Sequence, residues 1–477
     1  MKFTSLSFLV FFLVVYILNW SIKGKGRHVF LFVVSVLFYA AWSIPFALHF
    51  LAIVVLNHFG NRKVQTNGKS PWFYFVIFLN LSNLFVFKYF YFFWDSLLYI
   101  TASPLFEPES VRYFLSSQFG FDSITLPLAI SFYSFQMIAY AVDVRRGDAK
   151  ENPDFLKFAL FIFFFPQLVA GPIVRHGEFF YQLENWKANK QQLFEGLYLV
   201  FLGLLKKVVV ADNISIVIDP IFYNPNAYDG PSNAIALFSF AARAYCDFSG
   251  YTDLARGLGK LLGIDLPENF KAPFLSTSLS ETWVRWHMTL ASWIRDYIYI
   301  PLGGSRVSEL RSYFNLLLTF SLAGIWHGAN VTFLLWGFSH GFVLAIERKW
   351  QLFQKARNVD LSLPLPIYRK ILGIFYSFSI FSLTTAFFNG SSVGHSFSLL
   401  SNTFFGNMGI PVPKMEMLIY SILLTYLFNY LQLKEIFPRK EWSTAKSLCF
   451  LFIFGLFSLI LLGYLAPGGT EFIYFQF

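Results

Sequence analysis

Charge is scarce in this 477-residue chain: 13% of its residues are Asp, Glu, Lys or Arg, against about 25% in a soluble domain. The shortage excludes a disordered chain, which needs high charge and low hydrophobicity. It also argues against an ordinary soluble protein. Cysteine is scarcer still. Cys246 and Cys449, the 2 present, cannot build a disulfide framework or a cysteine metal cluster, and each reads as a small buried side chain. No internal repeat of fixed period and no low-complexity linker is seen, so a single membrane domain over 1–477 is the simplest partition. No serine-nucleophile elbow is expected, and no Gly-x-x-x-x-Gly-Lys phosphate loop occurs.

Apolar and aromatic residues fill the space that charge leaves. They make up 56% and 21% of the chain, and Phe alone occupies 63 positions. The net charge is +10. In a polytopic membrane protein that excess belongs to cytoplasmic loops, a better reading than nucleic-acid binding. Residues 1–20 hold one charge, Lys2, and lack a small-residue cleavage site. They read as a first membrane helix that is kept rather than a signal peptide. Apolar stretches predict helices at about 5–20, 29–42, 45–59, 72–94, 124–142, 155–170, 191–218, 232–262, 279–299, 310–327, 330–350, 367–388, 393–405, 415–433 and 445–466. Several are too short for the ~20 residues of a straight crossing, so about 11 true crossings are expected, the rest being re-entrant or interfacial.

Orientation follows from the basic clusters. Lys23, Lys25 and Arg27, then Arg62, Lys63 and Lys69, then Arg145, Arg146 and Lys150 recur two crossings apart. The positive-inside tendency places all three in the cytoplasm and the N-terminus outside. The loop 95–123, with Asp95, Glu107, Glu109 and Asp122 against Arg112, suits the outside. Segment 265–310 breaks the apolar pattern. It is polar, aromatic and rich in Pro and Gly, so it is expected to lie at an interface or to enter from one.

Ionisable groups at lipid depth are expensive and point to a site. His287 lies in Trp283-Val-Arg-Trp-His-Met-Thr289, and His327 in Gly324-Ile-Trp-His-Gly-Ala-Asn330. Small residues at 323, 324, 328 and 329 would admit another backbone or a thin substrate. An imidazole there can accept a proton near neutral pH. The plain alternative for each is a buried histidine that hydrogen-bonds a neighbouring helix. A metal site is disfavoured: His340 is a conceivable third ligand, but no Glu-x-x-His or His-x-x-x-His spacing exists. Gly250, Gly257, Gly259 and Gly263 suit close helix packing at least as well as ligand binding. Pro301-Leu-Gly-Gly-Ser-Arg306 could aim backbone N–H groups at an anion beside Arg306, or could be a plain helix-ending turn.

At this point the chain resembles the membrane-bound O-acyltransferase family, and within it the branch of alginate O-acetyltransferase membrane subunits. The resemblance rests on a series of motifs in order. They begin with Leu126-Pro-Leu-Ala-Ile-Ser-Phe-Tyr-Ser-Phe-Gln136, Val142-Asp-Val144 and Phe165-Pro-Gln-Leu-Val-Ala-Gly-Pro-Ile173. Asp247-Phe-Ser-Gly-Tyr-Thr-Asp253 and Leu266-Pro-Glu-Asn-Phe270 follow. The most specific are Arg285-Trp-His-Met-Thr-Leu-Ala-Ser-Trp-Ile-Arg-Asp-Tyr-Ile-Tyr-Ile-Pro-Leu-Gly-Gly304 and Trp326-His-Gly-Ala329. Phe472-Ile-Tyr-Phe-Gln-Phe477 closes the series. Arg145 stands where a tyrosine is more usual.

The resemblance implies an all-α polytopic fold, a shallow ring of tilted helices around a thin central tunnel, in a bacterial cytoplasmic (inner) membrane. It implies acetyl transfer from cytoplasmic acetyl-CoA, without a metal, to an extracytoplasmic polysaccharide such as an alginate-like exopolysaccharide, cellulose or peptidoglycan. His327 matches the principal catalytic histidine and His287 the second motif position. Arg285, Arg295 and Arg306 are candidates to hold the donor's phosphates, although Arg295 beside Asp296 can equally be structural. Tyr474 is either an aromatic interface anchor or the acceptor of the acetyl group. In the second case it would pass the group to a serine of an extracytoplasmic acetyltransferase of the SGNH-hydrolase type. Two rivals are a D-alanyl transferase acting on teichoic acid with the same fold, and a non-enzymatic polysaccharide transporter. The transporter is disfavoured by an expected shortage of acidic groups inside helices.

Overall fold

The computed structural model describes residues 3–66, 70–101, 126–149, 153–187, 189–360, 363–406, 409–436 and 442–465. Tyr474 with its motif, Lys69 and Lys150 lie outside them, as does most of the 95–123 loop. Helix accounts for 79% of the structure and no strand occurs among the described residues, in line with the all-α expectation. Among the described residues four helices are long and apolar enough to cross a membrane: Ile44–Thr66, Trp72–Trp94, Ile367–Phe388 and Thr444–Leu462. Between 22% and 44% of each is buried inside the protein, and the apolar remainder suits lipid. The chain divides into two compact units.

The first unit comprises 1–169, 173–186 and 328–330. It holds α1 (Leu6–Ser21), α2 (Lys25–Ala40), α3 (Ile44–Thr66), α4 (Trp72–Leu84), α5 (Phe90–Thr101), α6 (Ile130–Arg146), α7 (Phe155–Phe163), α8 (Phe165–Leu168) and α9 (His176–Glu184). The chain breaks between α2 and α3, just before Pro45, as the predicted bounds 29–42 and 45–59 imply. The predicted helix 72–94 is interrupted by a π-helical turn, Phe85–Tyr89. Helix α9 was not expected, because nine residues with three charged or histidine side chains carry little apolar signal. Aromatic rings fill the interior: Phe50 lies 4.1 Å from Tyr133 and 4.0 Å from Phe163 between ring centroids.

The loops that carry the basic clusters meet at one end of this unit. His28 Nε2 is 3.2 Å from the Leu183 carbonyl, and Lys157 pairs with Glu184 at 2.7 Å. The His58 ring lies 5.6 Å from Phe155. Gln65 donates to the Ala149 carbonyl at 3.4 Å, and Arg145 covers the Phe73 ring at 4.4 Å. At the other end the Tyr39 hydroxyl donates to the Leu128 carbonyl at 2.9 Å. Up-and-down alternation of α1, α2, α3, α4 and α6 produces this grouping, as the spacing of the clusters predicts. Between α3 and α4 runs a polar seam. Asn57 and Asn80 exchange side-chain hydrogen bonds, and His49 Nε2 lies 2.9 Å from Asn83 Oδ1. Such pairs hold apolar helices together where hydrophobic attraction does not.

The second unit comprises 170–172, 187–327 and 331–477. Helix α10 (Lys190–Leu204) continues through a π-helical stretch, Leu205–Ala211, into α11 (Asp212–Tyr223). It packs on α12 (Gly230–Leu261) so closely that a Cβ at Gly203 or Gly250 would strike the other helix's backbone. Of the glycines expected to serve helix packing, Gly250 and Gly257 do so here, whereas Gly259 lies against the Ile264 carbonyl of the turn that follows and Gly263 takes that turn's left-handed backbone, with φ 88°. After α12 come α13 (Leu279–Arg285), α14 (Met288–Ile294), α15 (Glu309–His327), α16 (Val331–Ala356), α17 (Ile367–Phe388), α18 (Val393–Phe405), α19 (Met415–Leu433) and α20 (Thr444–Leu465). The single helix predicted at 279–299 is two short helices and a π-helical turn, Arg295–Tyr299.

The expected shortage of acidic groups inside helices is corrected. Asp212, Asp247 and Asp253 are buried on α11 and α12. Lys206 reaches Asp253 at 2.7 Å, while Lys207 bridges Asp212 at 2.8 Å and Asp247 at 2.5 Å. Each carboxylate faces a lysine of the π-helical stretch, which is the condition for burying an ion at tolerable cost.

Candidate active site

His327 closes α15, and its position is set by how α15 meets α16. A Cβ at Gly324 would collide with the Phe333 carbonyl, and one at Gly337 with the Phe320 carbonyl. Of the small residues expected to admit another backbone, Gly324 admits that of α16. The His327 ring is buried, 4.9 Å from Trp326, 5.0 Å from Trp336 and 5.2 Å from Phe388 between centroids.

His287 is placed by the break between α13 and α14. Its backbone is left-handed, with φ 44° and ψ 50°, a conformation that costs a non-glycine residue about 1–2 kcal/mol. Asn269 holds it there. The Asn269 carbonyl accepts from Met288 N at 2.9 Å. Its side-chain Oδ1 accepts from Thr289 N at 3.2 Å and Thr289 Oγ1 at 2.9 Å. His287 Nδ1 lies 3.2 Å from the same Oδ1. An atom that takes a backbone N–H must be the amide oxygen, so Nδ1 carries the proton and the imidazole lone pair is on Nε2. Backbone strain of this kind collects at functional sites.

Both histidines pack edge-to-face on one indole: Trp326 is 6.2 Å from His287 and 4.9 Å from His327 between centroids. The two residues singled out from the sequence, 40 positions apart, thus share a wall. Asn269 was present in the Leu266–Phe270 motif, but nothing in the motif identifies it as the clamp on His287.

His340 is not available as a metal ligand. Trp283 Nε1 donates to its Nδ1 at 3.2 Å, and its Nε2 lies 3.0 Å from Thr384 Oγ1. Both ring nitrogens are occupied. No group of three His, Cys, Asp or Glu suited to a metal occurs among the described residues.

The arginines are dispersed in role. Arg285 pairs with Glu281 at 2.7 Å. Arg295, largely exposed, pairs with Asp296 at 2.8 Å, a hydrogen bond that raises its pKa further above neutrality. Arg306 is exposed. The turn beside it is not an anion nest: Leu302, Gly303 and Gly304 N–H groups go to the carbonyls of Ile298, Ile300 and Tyr299. Asn315 of α15 clasps the Leu302 and Gly304 carbonyls, each at 3.1 Å. This is the helix-ending turn. Gly390-Ser-Ser-Val-Gly394 has the residue pattern of a nucleophile elbow, but Ser392 serves as the N-cap of α18, accepting from His395 N at 3.1 Å.

The model of the membrane-bound O-acyltransferase family matches residues 145–393, a stretch that holds Asn269, His287 and His327. A protein named probable alginate O-acetylase AlgI from Pseudomonas syringae is 38% identical over 356 residues, 73% of this chain and 66% of that one.

The chain belongs to the membrane-bound O-acyltransferase family.

The match thus spans just under two thirds of the Pseudomonas syringae relative. A Helicobacter pylori protein named peptidoglycan O-acetyltransferase is 33% identical over 397 residues, 77% of this chain and 71% of that one. A teichoic acid D-alanyltransferase of Bacillus subtilis is 28% identical over 284 residues, 56% of this chain and 70% of that one. The O-acyltransferase class expected from the motifs is shown by the family and these relatives, and it displaces the transporter reading.

Proposed function

We infer that this membrane-bound O-acyltransferase moves acetyl groups from acetyl-CoA in the cytoplasm to hydroxyls of a polysaccharide outside the cytoplasmic membrane. The observation that carries the reading is the pair His287 and His327, buried against one indole, with His287 held in a single tautomer. In the proposed mechanism His327 removes the acceptor hydroxyl proton. The oxygen attacks the thioester carbonyl, the C–S bond breaks, and the thiolate of coenzyme A takes up a proton. General-base help contributes about 10²–10⁴, and holding the reactants in a narrow site contributes more. His287 orients the partner group.

The ring of tilted helices around a thin centre rests on the resemblance, whereas the single domain, the count of about 11 crossings and the basic clusters facing the cytoplasm rest on the sequence. Arg285, Arg295 and Arg306 are the proposed phosphate contacts. Arg285 and Arg295 would each have to exchange a carboxylate for the donor, which makes Arg306 the first to test. The final acceptor is an alginate-like exopolysaccharide, cellulose or peptidoglycan, reached through an extracytoplasmic SGNH-type acetyltransferase. Tyr474 is proposed as the relay: a phenyl ester is activated because phenolate, with a pKa near ~10, leaves more readily than a sugar alkoxide.

The test is acetyl transfer from labelled acetyl-CoA by the purified chain. His327→Ala should abolish it at normal membrane levels, and a variant that keeps most of its activity would remove His327 from the mechanism. Tyr474→Phe keeps the ring, so an anchor tolerates it, whereas a relay loses polymer acetylation. Turnover of a D-alanyl carrier protein in place of acetyl-CoA would favour the teichoic acid alternative.

A further inference from the structure

Helix α13 ends one residue short of Trp286-His287, so whatever fixes α13 fixes His287. Helix α16 grips it twice, from one face. Glu347 accepts from the Leu279 and Ser280 N–H groups at 2.7 and 2.8 Å, and from Ser280 Oγ at 2.5 Å. A carboxylate on the first N–H groups of a helix satisfies donors that have no partner within it. Two turns earlier on α16, His340 accepts from Trp283 Nε1 at 3.2 Å. Because Nδ1 accepts, the neutral ring carries its proton on Nε2 and donates it to Thr384 Oγ1 at 3.0 Å. That hydroxyl in turn donates to the Phe381 carbonyl at 2.8 Å. The network is closed, fully buried at His340, and allows one tautomer.

One turn before His340 stands Trp336. Its ring is 4.8 Å from His340 and 5.0 Å from His327 between centroids. Trp283 completes the cluster, 5.9 Å from Trp336. A single imidazole therefore braces the wall of His327 on one side and tethers the helix that delivers His287 on the other.

We propose that His340 is a positioning residue, whose hydrogen bond from Trp283 sets the placement of His287 relative to His327. The proposal rests on the reading that those two histidines carry the reaction. His340 itself exchanges no proton with substrate. A displacement of about 1 Å at a reacting centre can cost about a hundredfold, so a tether of this kind shows in kcat rather than in binding.

The conservative replacements separate the two hydrogen bonds. Asn places an acceptor near Nδ1, and Gln places a donor near Nε2. In purified full-length chain, with acetyl-CoA as donor, His340→Phe and Trp283→Phe should each lower kcat about ten- to a hundredfold, with KM for acetyl-CoA within about twofold. The double variant should be no worse than either single one, since both remove the same bond. His340→Asn should recover to within about threefold of wild type, and His340→Gln should not. Melting in detergent, run on every variant, normalises activity to folded protein.

Wild-type kcat in His340→Phe would overturn the proposal. So would equal loss in the Asn and Phe variants, or a loss that melting alone accounts for. His327→Ala, assayed in parallel, keeps the two failures apart. If it is inactive while His340→Phe is unimpaired, the tether is wrong and the reading of the site stands. If His327→Ala is active, the reading fails and the tether falls with it.

Discussion

Replacing Asn269 by alanine is the sharpest perturbation of the site that leaves both histidines in place. The change removes one acceptor atom, Oδ1, that serves Thr289 N, Thr289 Oγ1 and His287 Nδ1. The Thr289 hydroxyl can rotate to another partner and the imidazole can move its proton to Nε2, but the Thr289 N–H is fixed and buried. A buried donor left without its acceptor costs about 1–3 kcal/mol. That sets the loss at about 1–3 kcal/mol, with the left-handed backbone at His287 no longer clamped. The second consequence is chemical. Without Oδ1 nothing selects Nδ1–H, and a fraction of the protein carries its lone pair on the wrong nitrogen. Asn269→Ala should therefore lower the melting temperature in detergent, and should also lower acetyl-CoA turnover per folded molecule by tenfold or more, about 1.4 kcal/mol of barrier. Thr289→Val is the control. It deletes one donor and keeps the His287 contact, so it should cost about 1 kcal/mol and spare turnover. Full turnover in folded Asn269→Ala would show that the clamp does not matter to the reaction.

Two further outcomes follow from burial and charge. Lys207→Met should destabilise the protein by about 3–5 kcal/mol, because it strips the cation from buried Asp212 and Asp247. Lys157→Met, which breaks a solvent-exposed pair with Glu184, should cost about 1 kcal/mol or less. Equal melting temperatures for the two variants would contradict this account. Single cysteines at Lys25, Lys63 and Arg146, introduced after Cys246 and Cys449 are replaced, should all resist an impermeant thiol reagent added to intact cells. Labelling of any one of them would reverse the N-out orientation.

Helix positions were legible where the chain itself marks the ends. The predicted bounds 367–388, 393–405 and 415–433 agree with α17, α18 and α19. Pro366 stands before the first of these, Ser392 caps the second, and Gly406 follows it. The break at His287 was not legible. Neither Gly nor Pro lies between Trp283 and Ile300, so no residue there marks a helix end. The left-handed turn is imposed by Asn269, 18 residues upstream, and only tertiary contact reveals it.

The same distinction separates the parts of the site. His287 and His327 could be singled out because ionisable groups in an apolar stretch are costly whatever surrounds them. His340 met the same criterion and was weighed as a metal ligand. The structure gives it Trp283 and Thr384 instead, 57 and 44 residues away. Lys206 and Asp253, 47 residues apart, look equally costly in isolation, yet together they largely cancel. What a sequence position shows is the cost of burying a group. Whether that cost is offset by a partner or kept for chemistry depends on which distant residue arrives beside it. In this protein the offset groups are the ions of α10 to α12 and the imidazole of His340. In the proposed mechanism the pair gathered on Trp326 is where the cost is turned to chemistry, and variants there should then separate activity from stability most cleanly.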